Sequence, residues 1–118
     1  MFGNTLPYRS VAGNATAKLV LTGMRRLHGY HTFSINNEDN FLHIYDAAAI
    51  TDVTVGTTDP VLTLLVPAGD GTIYGAGAED FGNFPIVLKN GLVWAVTKEK
   101  DGAATAPDVD CGVNFRYS

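Results

Sequence analysis

The sequence predicts an all-β domain, an antiparallel sandwich or barrel of about eight short strands with an extended N-terminal arm. Three observations carry this. Apolar and polar residues alternate with a period of two in one segment after another. Clusters of Gly, Asn, Asp and Pro punctuate the chain every ~8–12 residues. No segment sustains a helical period. The 118 residues suit one domain, with the arm at 1–16 and the sandwich at 17–118. A chain of this length buries a core without disulfide or metal.

Residues 1–16 contain Gly3, Asn4, Pro7, Gly13 and Asn14 and read as an arm that lies on something else or frays. In 17–24, Leu19, Leu21 and Gly23 alternate with Lys18, Val20 and Thr22, and 25–36 continues the pattern through Tyr30, Thr32, Phe33 and Ile35. Residues 36–40 are a turn, because Asn and Asp bond their own backbone and tolerate left-handed conformations. In 41–46, Phe41, His43 and Tyr45 share one face, and Leu42 and Ile44 the other. The Ala-rich 47–50 has the length of one helical turn, and 51–56 is a short strand or extended connection. Residues 57–60 turn into a strongly apolar strand at 61–66, which Pro67 stops.

A strand starts at 72–76, after which Gly75, Gly77, Glu79, Asp80, Gly82 and Asn83 read as a loop. Pro85 makes 84–88 an edge strand. Asn90-Gly91 signals a two-residue hairpin turn leading into 92–97. After the polar stretch 98–107, the strand at 109–117 places Val109, Cys111, Val113, Phe115 and Tyr117 on one face.

Charge and composition narrow the function. Only 17% of residues are charged and the net charge is −4, so much of the surface is Thr, Asn, Gly and apolar, which invites a partner. Only Arg25 and Arg26 are adjacent among the basic residues, and no basic stripe with interleaved aromatics exists, which argues against nucleic acid. No stretch nears the ~20 apolar residues of a membrane helix, and the first 17 residues lack the apolar run of a signal peptide. Cys111 is the single cysteine and reads as a small buried hydrophobe, compatible with synthesis in the cytosol.

No residues are assigned to catalysis, a cofactor or a metal. His28 and His31 are three apart, so on one regular strand they face opposite sides and share a metal only through a bulge. Asp101, Asp108 and Asp110, and Glu79 with Asp80, lie in predicted loops without a calcium-binding spacing and read as solvated. No nucleophile elbow surrounds a Ser, and Gly69-Asp70-Gly71 lacks the Lys and following helix of a phosphate loop. Trp94, in an apolar run, reads as a core anchor. Exposure of Trp94 or Tyr30 on a flat face would instead mark a sugar-stacking platform.

Two stretches carry a resemblance. One runs from His43-Ile44-Tyr45-Asp46 through Val55-Gly56-Thr57-Thr58-Asp59-Pro60 and the apolar strand to Pro67-Ala68-Gly69. The other runs from Asn90-Gly91-Leu92 with Ala95-Val96-Thr97 to the final alternating strand ending at Tyr117. Together they resemble small virion structural proteins of tailed phages, jelly-roll modules that act as capsid decoration, or cement, proteins. The resemblance spans about two thirds of the chain and leaves the first 40 residues uncovered. It implies a jelly-roll sandwich on the outside of the phage head, bound to the major capsid protein. It also implies a homotrimer, no enzymatic activity and no cofactor. The arm is then expected to reach a neighbouring subunit by strand addition. The alternative is a tail or fibre component or a carbohydrate-recognition module of the virion.

Overall fold

The computed structural model describes residues 5–101 and 103–118. Antiparallel pairing in this chain is nested. At the centre β4 (Asn40–Asp46) pairs with β5 (Leu62–Val66). Around them β3 (Arg25–Ser34) pairs with β6 (Gly75–Asp80), and then β2 (Lys18–Thr22) with β8 (Gly91–Thr97). The outermost pair is β1 (Leu6–Gly13) with β9 (Cys111–Tyr117). Rolling this double ribbon joins β9 to β3 and β8 to β4, giving two sheets of order β1-β9-β3-β6 and β2-β8-β4-β5. A short strand, β7 (Ile86–Leu88), pairs with the first residues of β3, end to end with β6. The strand order is that of a jelly-roll sandwich. Among the described residues the helical structure is one 3₁₀ turn at Ile50–Asp52.

The core lies between the sheets. Leu42 and Ile44 of β4, Leu92, Trp94 and Val96 of β8, and Val113 and Phe115 of β9 meet there, all buried. The alternation read in β4 holds, since Tyr45 turns the other way into a second apolar cluster with Val53, Val93 and Ala95. That cluster forms because residues 47–61 fold back over the outer face of the four-stranded sheet. β8 is therefore covered on both sides and buried at every position, which is why it reads as a continuous apolar run and not an alternating one.

Three expectations are corrected. Leu6–Gly13 is an edge strand of the five-stranded sheet and not an arm outside a sandwich that begins at 17; residues 1–4 lie outside the described residues. Tyr8 is the reason. Its ring stacks on Phe115 with centroids 5.9 Å apart and meets Trp94 edge-on at 6.0 Å. The indole Nε1–H of Trp94 donates to the Tyr8 hydroxyl at 3.2 Å. The Gly-rich run expected as a loop after 76 is strand β6. Its glycines serve close approach: a Cβ at Gly75 would strike the Ala68 carbonyl, and one at Gly77 the Pro67 ring.

Nor does Asn90-Gly91 close a hairpin, because β7 and β8 lie in different sheets. The residues form a corner, held by the Asp46 carboxylate, which accepts the N–H groups of Lys89 at 3.0 Å and Asn90 at 2.7 Å. Gly91 is required there because a Cβ would strike the Ala47 carbonyl. Burial acts to raise the Asp46 pKa, but the backbone N–H groups of Asn90, Lys89 and Gly91 outweigh it and hold the carboxyl below its ordinary value.

At the opposite end Asn36 ties three connections together. Its side chain donates to the Val109 carbonyl at 2.7 Å and accepts the Val109 N–H at 2.8 Å, as a paired strand residue would. Its own carbonyl accepts the N–H of Gly69 at 2.7 Å.

Truncation and substitution at β1 separate a strand from an arm. Tyr8→Phe loses the bond from Trp94 and lowers stability by about 1 kcal/mol, and Tyr8→Ala lowers it by about 3 kcal/mol, read from urea unfolding. A chain lacking residues 1–13 loses its cooperative transition, where loss of a mere arm would leave it unchanged.

Candidate binding surface

The titratable residues singled out in the sequence do not converge. His28 bonds the Ser118 hydroxyl through Nε2 at 2.8 Å, and His31 lies beside Phe33 with ring centroids 6.1 Å apart. β3 does carry a register shift between Leu27 and Gly29, yet the two histidines keep separate partners. Asp80 pairs with Arg116 at 3.0 Å and Asp108 with Lys98 at 2.7 Å. Asp110 accepts from the Asn14 amide at 3.0 Å, and Asp101 from the Ala103 N–H at 3.1 Å. Glu79 stands opposite Tyr30 in the β3–β6 ladder. Among the described residues no three His, Cys, Asp or Glu side chains are placed to hold a metal ion. Cys111 is buried in the core, where burial pushes its thiol pKa up. Trp94 is fully buried, and Tyr30 packs against the core beside Phe81, so neither forms a flat exposed platform.

His43 is enclosed on the outer side of the four-stranded sheet. The Thr97 hydroxyl donates to the Glu99 carbonyl at 2.9 Å, so its oxygen accepts the His43 Nε2–H at 2.8 Å. Nδ1 is left to accept the Thr63 hydroxyl at 3.1 Å. Both ring nitrogens are thereby satisfied in the neutral form.

Two surfaces remain open. The first is one side of the sandwich. β1 and β2 are terminal strands of their sheets, and the short connection 14–17 sets them at the same side. Both present apolar side chains to solvent: Leu6, Val11, Leu19 and Leu21 are exposed, Val11 by 59%. Free edges of this kind are templates for another chain. An open apolar groove of about 420 Å³ lies nearby, lined by Ala15, Ala17, Ile50, Val53, Val55 and Ala104 among others.

The second is the outer face of the five-stranded sheet. β9 turns Cys111, Val113 and Phe115 inward, so Gly112, Asn114 and Arg116 face out. The register sets Arg9 of β1, Asn114 of β9, His31 of β3 and Ala78 of β6 in one row across the sheet. The next row holds Gly112, Phe33 and Ala76. Phe33 lies flat on Gly112: a Cβ there would fall within contact of three ring carbons at once. Tyr74, 61% exposed, meets Phe33 edge-on at 5.5 Å. The Arg116 guanidinium covers Gly29 in the same manner. Nothing in the run through Tyr30, Thr32, Phe33 and Ile35 marks this face, because the same aromatic and β-branched residues suit either side of a strand. The available signal was the glycine inside each of two strands, which marks close approach of another group.

The enclosure of His43 fixes a pH dependence. Burial lowers its pKa, against the smaller opposing pull of the Glu99 carbonyl and the Asp101 charge. The unfolded chain takes up a proton near pH ~6.5 that the folded protein excludes. Stability is therefore full above that pH and falls as pH drops below it. The urea midpoint is expected to decline between pH 7 and 5, and His43→Gln to flatten that slope.

No family model matches the chain, and no curated protein does. Among solved structures, two of the Tobacco streak virus coat protein are similar to it, one of them of the dimer. Each is 14% identical with a TM-score of 0.39; they cover 100% of this chain, and 88% and 87% of their own.

Proposed function

We propose that the chain is a virion structural protein, a capsid decoration protein that binds the outside of a phage head and stabilises it. It works by binding and not by catalysis. The observation that carries this reading is the side of the sandwich where β1 and β2 both end their sheets with exposed apolar side chains. A protein that stays alone blunts such edges, and this one keeps two of them side by side. The sequence resemblance to phage decoration proteins and the jelly-roll strand order support the same reading.

The partner is the major capsid protein, reached through β1 and β2. The chain sits on the head as a homotrimer around local three-fold axes. Binding only the assembled shell stabilises it by mass action. Because β1 belongs to the sandwich, it offers its free edge from within the domain and does not swing out as an arm.

The test is to dissociate purified virions into heads and tails and quantify the 12.6 kDa band in each fraction. Hundreds of copies on heads are expected; a few copies confined to tails would replace decoration with an adsorption role. On isolated heads, Leu19→Lys and Val11→Lys each lower occupancy about tenfold. Both side chains are exposed, so stability changes by less than about 0.5 kcal/mol.

A further inference from the structure

The outer face of the five-stranded sheet adjoins the β1 edge just assigned to the shell and carries Arg9 of that strand. On it the partly exposed ring of Phe33 is laid over Gly112, with no side chain beneath it. Tyr74 closes one side of that ring at right angles, with an interplanar angle of 79°. On β6 the outward neighbours in the two rows are Ala76 and Ala78, too small to overhang it. A partly exposed ring with such small neighbours on one side offers a surface to the apolar face of a pyranose.

Next to the ring runs a row of polar groups, Arg9, Asn114 and His31, on three consecutive strands. Strands are spaced about 4.8 Å apart, so the row spans about 10 Å, the length of a disaccharide. Charge selects among sugars. Asp80, the carboxylate of the row beyond, opposite Gly29, is tied to Arg116 at 3.0 Å. Among the described residues the Arg9 guanidinium has no ion-pair partner, in a protein whose net charge is −4. A guanidinium presents a fork of donors that matches a carboxylate.

We infer that this face is a binding site for an acidic saccharide. The Phe33 ring stacks on one sugar, Arg9 takes the carboxylate, and Asn114 and His31 bond hydroxyls. The site goes beyond the decoration reading and does not depend on it. A decoration protein so equipped attaches its particle weakly to acidic glycans, and many copies convert weak contacts into avidity.

The experiment is a titration of the full chain followed by backbone amide NMR shifts. The acidic probes are 3′-sialyllactose and digalacturonate, with lactose as the uncharged control. At least one acidic probe is expected to shift the amides of Phe33, His31 and Asn114, with a dissociation constant on the order of 1 mM. Arg9→Gln, at an exposed position, weakens that probe about tenfold while the rest of the spectrum stays in place. Phe33→Ala abolishes the shifts. The inference is overturned if neither acidic probe binds, if lactose binds as well as they do, or if the shifts centre on the groove around Ala17 and Val53. It is also overturned if the same amides broaden with protein concentration alone, which would make the face an interface between copies of this chain.

Discussion

The two sheets are coupled through one indole. Trp94 is the largest fully buried side chain, and it stands on β8, whose every residue is enclosed. Phe115 from the other sheet meets it edge-on at 5.9 Å, and Tyr8 closes the group from β1 while accepting the indole N–H. Lys18 adds its ammonium 5.4 Å from the ring centroid. Strands from both layers and from the first and last parts of the chain therefore share one contact. An aromatic of this size contributes roughly 150–250 Å² of burial, and its N–H is satisfied without water.

Much of this was legible in the residues. The alternation in 41–46 and 111–117 matches the faces found, since period-two patterning is local and one face of each strand is apolar, whereas Val109 precedes β9 and is exposed. β4, β5, β7, β8 and β9 lie close to where turn signals bracket them, whereas 17–36 reads as one continuing pattern and is β2 and β3 in different sheets. The reading failed where glycine does something other than turn. Gly75 and Gly77 lie inside a strand because backbone from the neighbouring corner passes too close for a side chain, and no local pattern reports that. Gly91 looked like a turn residue after Asn90 and is instead a crossing point between sheets. Leu6–Gly13 carried a weak signal for the same reason that it matters: its anchor, Tyr8, finds partners about a hundred residues away in sequence.

The candidate surfaces were less legible than the fold. The exposed or enclosed state of an aromatic depends on which sheet face it occupies, and one register shift in β3 reverses that assignment. His43 illustrates the point in the other direction. It alternates with apolar residues as a surface residue would, yet residues folded over the sheet enclose it and two threonines satisfy it. The edges and the outer face emerge only once strand order is known, because both are defined by what lies beside a strand and not by what lies in it.

Nesting has a consequence for how the chain comes into being. Leu6 stands opposite Tyr117, so the first strand made is paired by the last. A ribosome adding ~5–20 residues per second leaves β1 and its tyrosine without their partners for on the order of ten seconds. The inner ribbon, β4 with β5, assembles from neighbours during that interval, and each later strand closes a wider ring around it. The outermost seam seals when β9 clears the exit tunnel. Until then β1 carries two unpaired edges, the one that β9 will cover and the one that stays free in the finished fold, and both are templates for another chain.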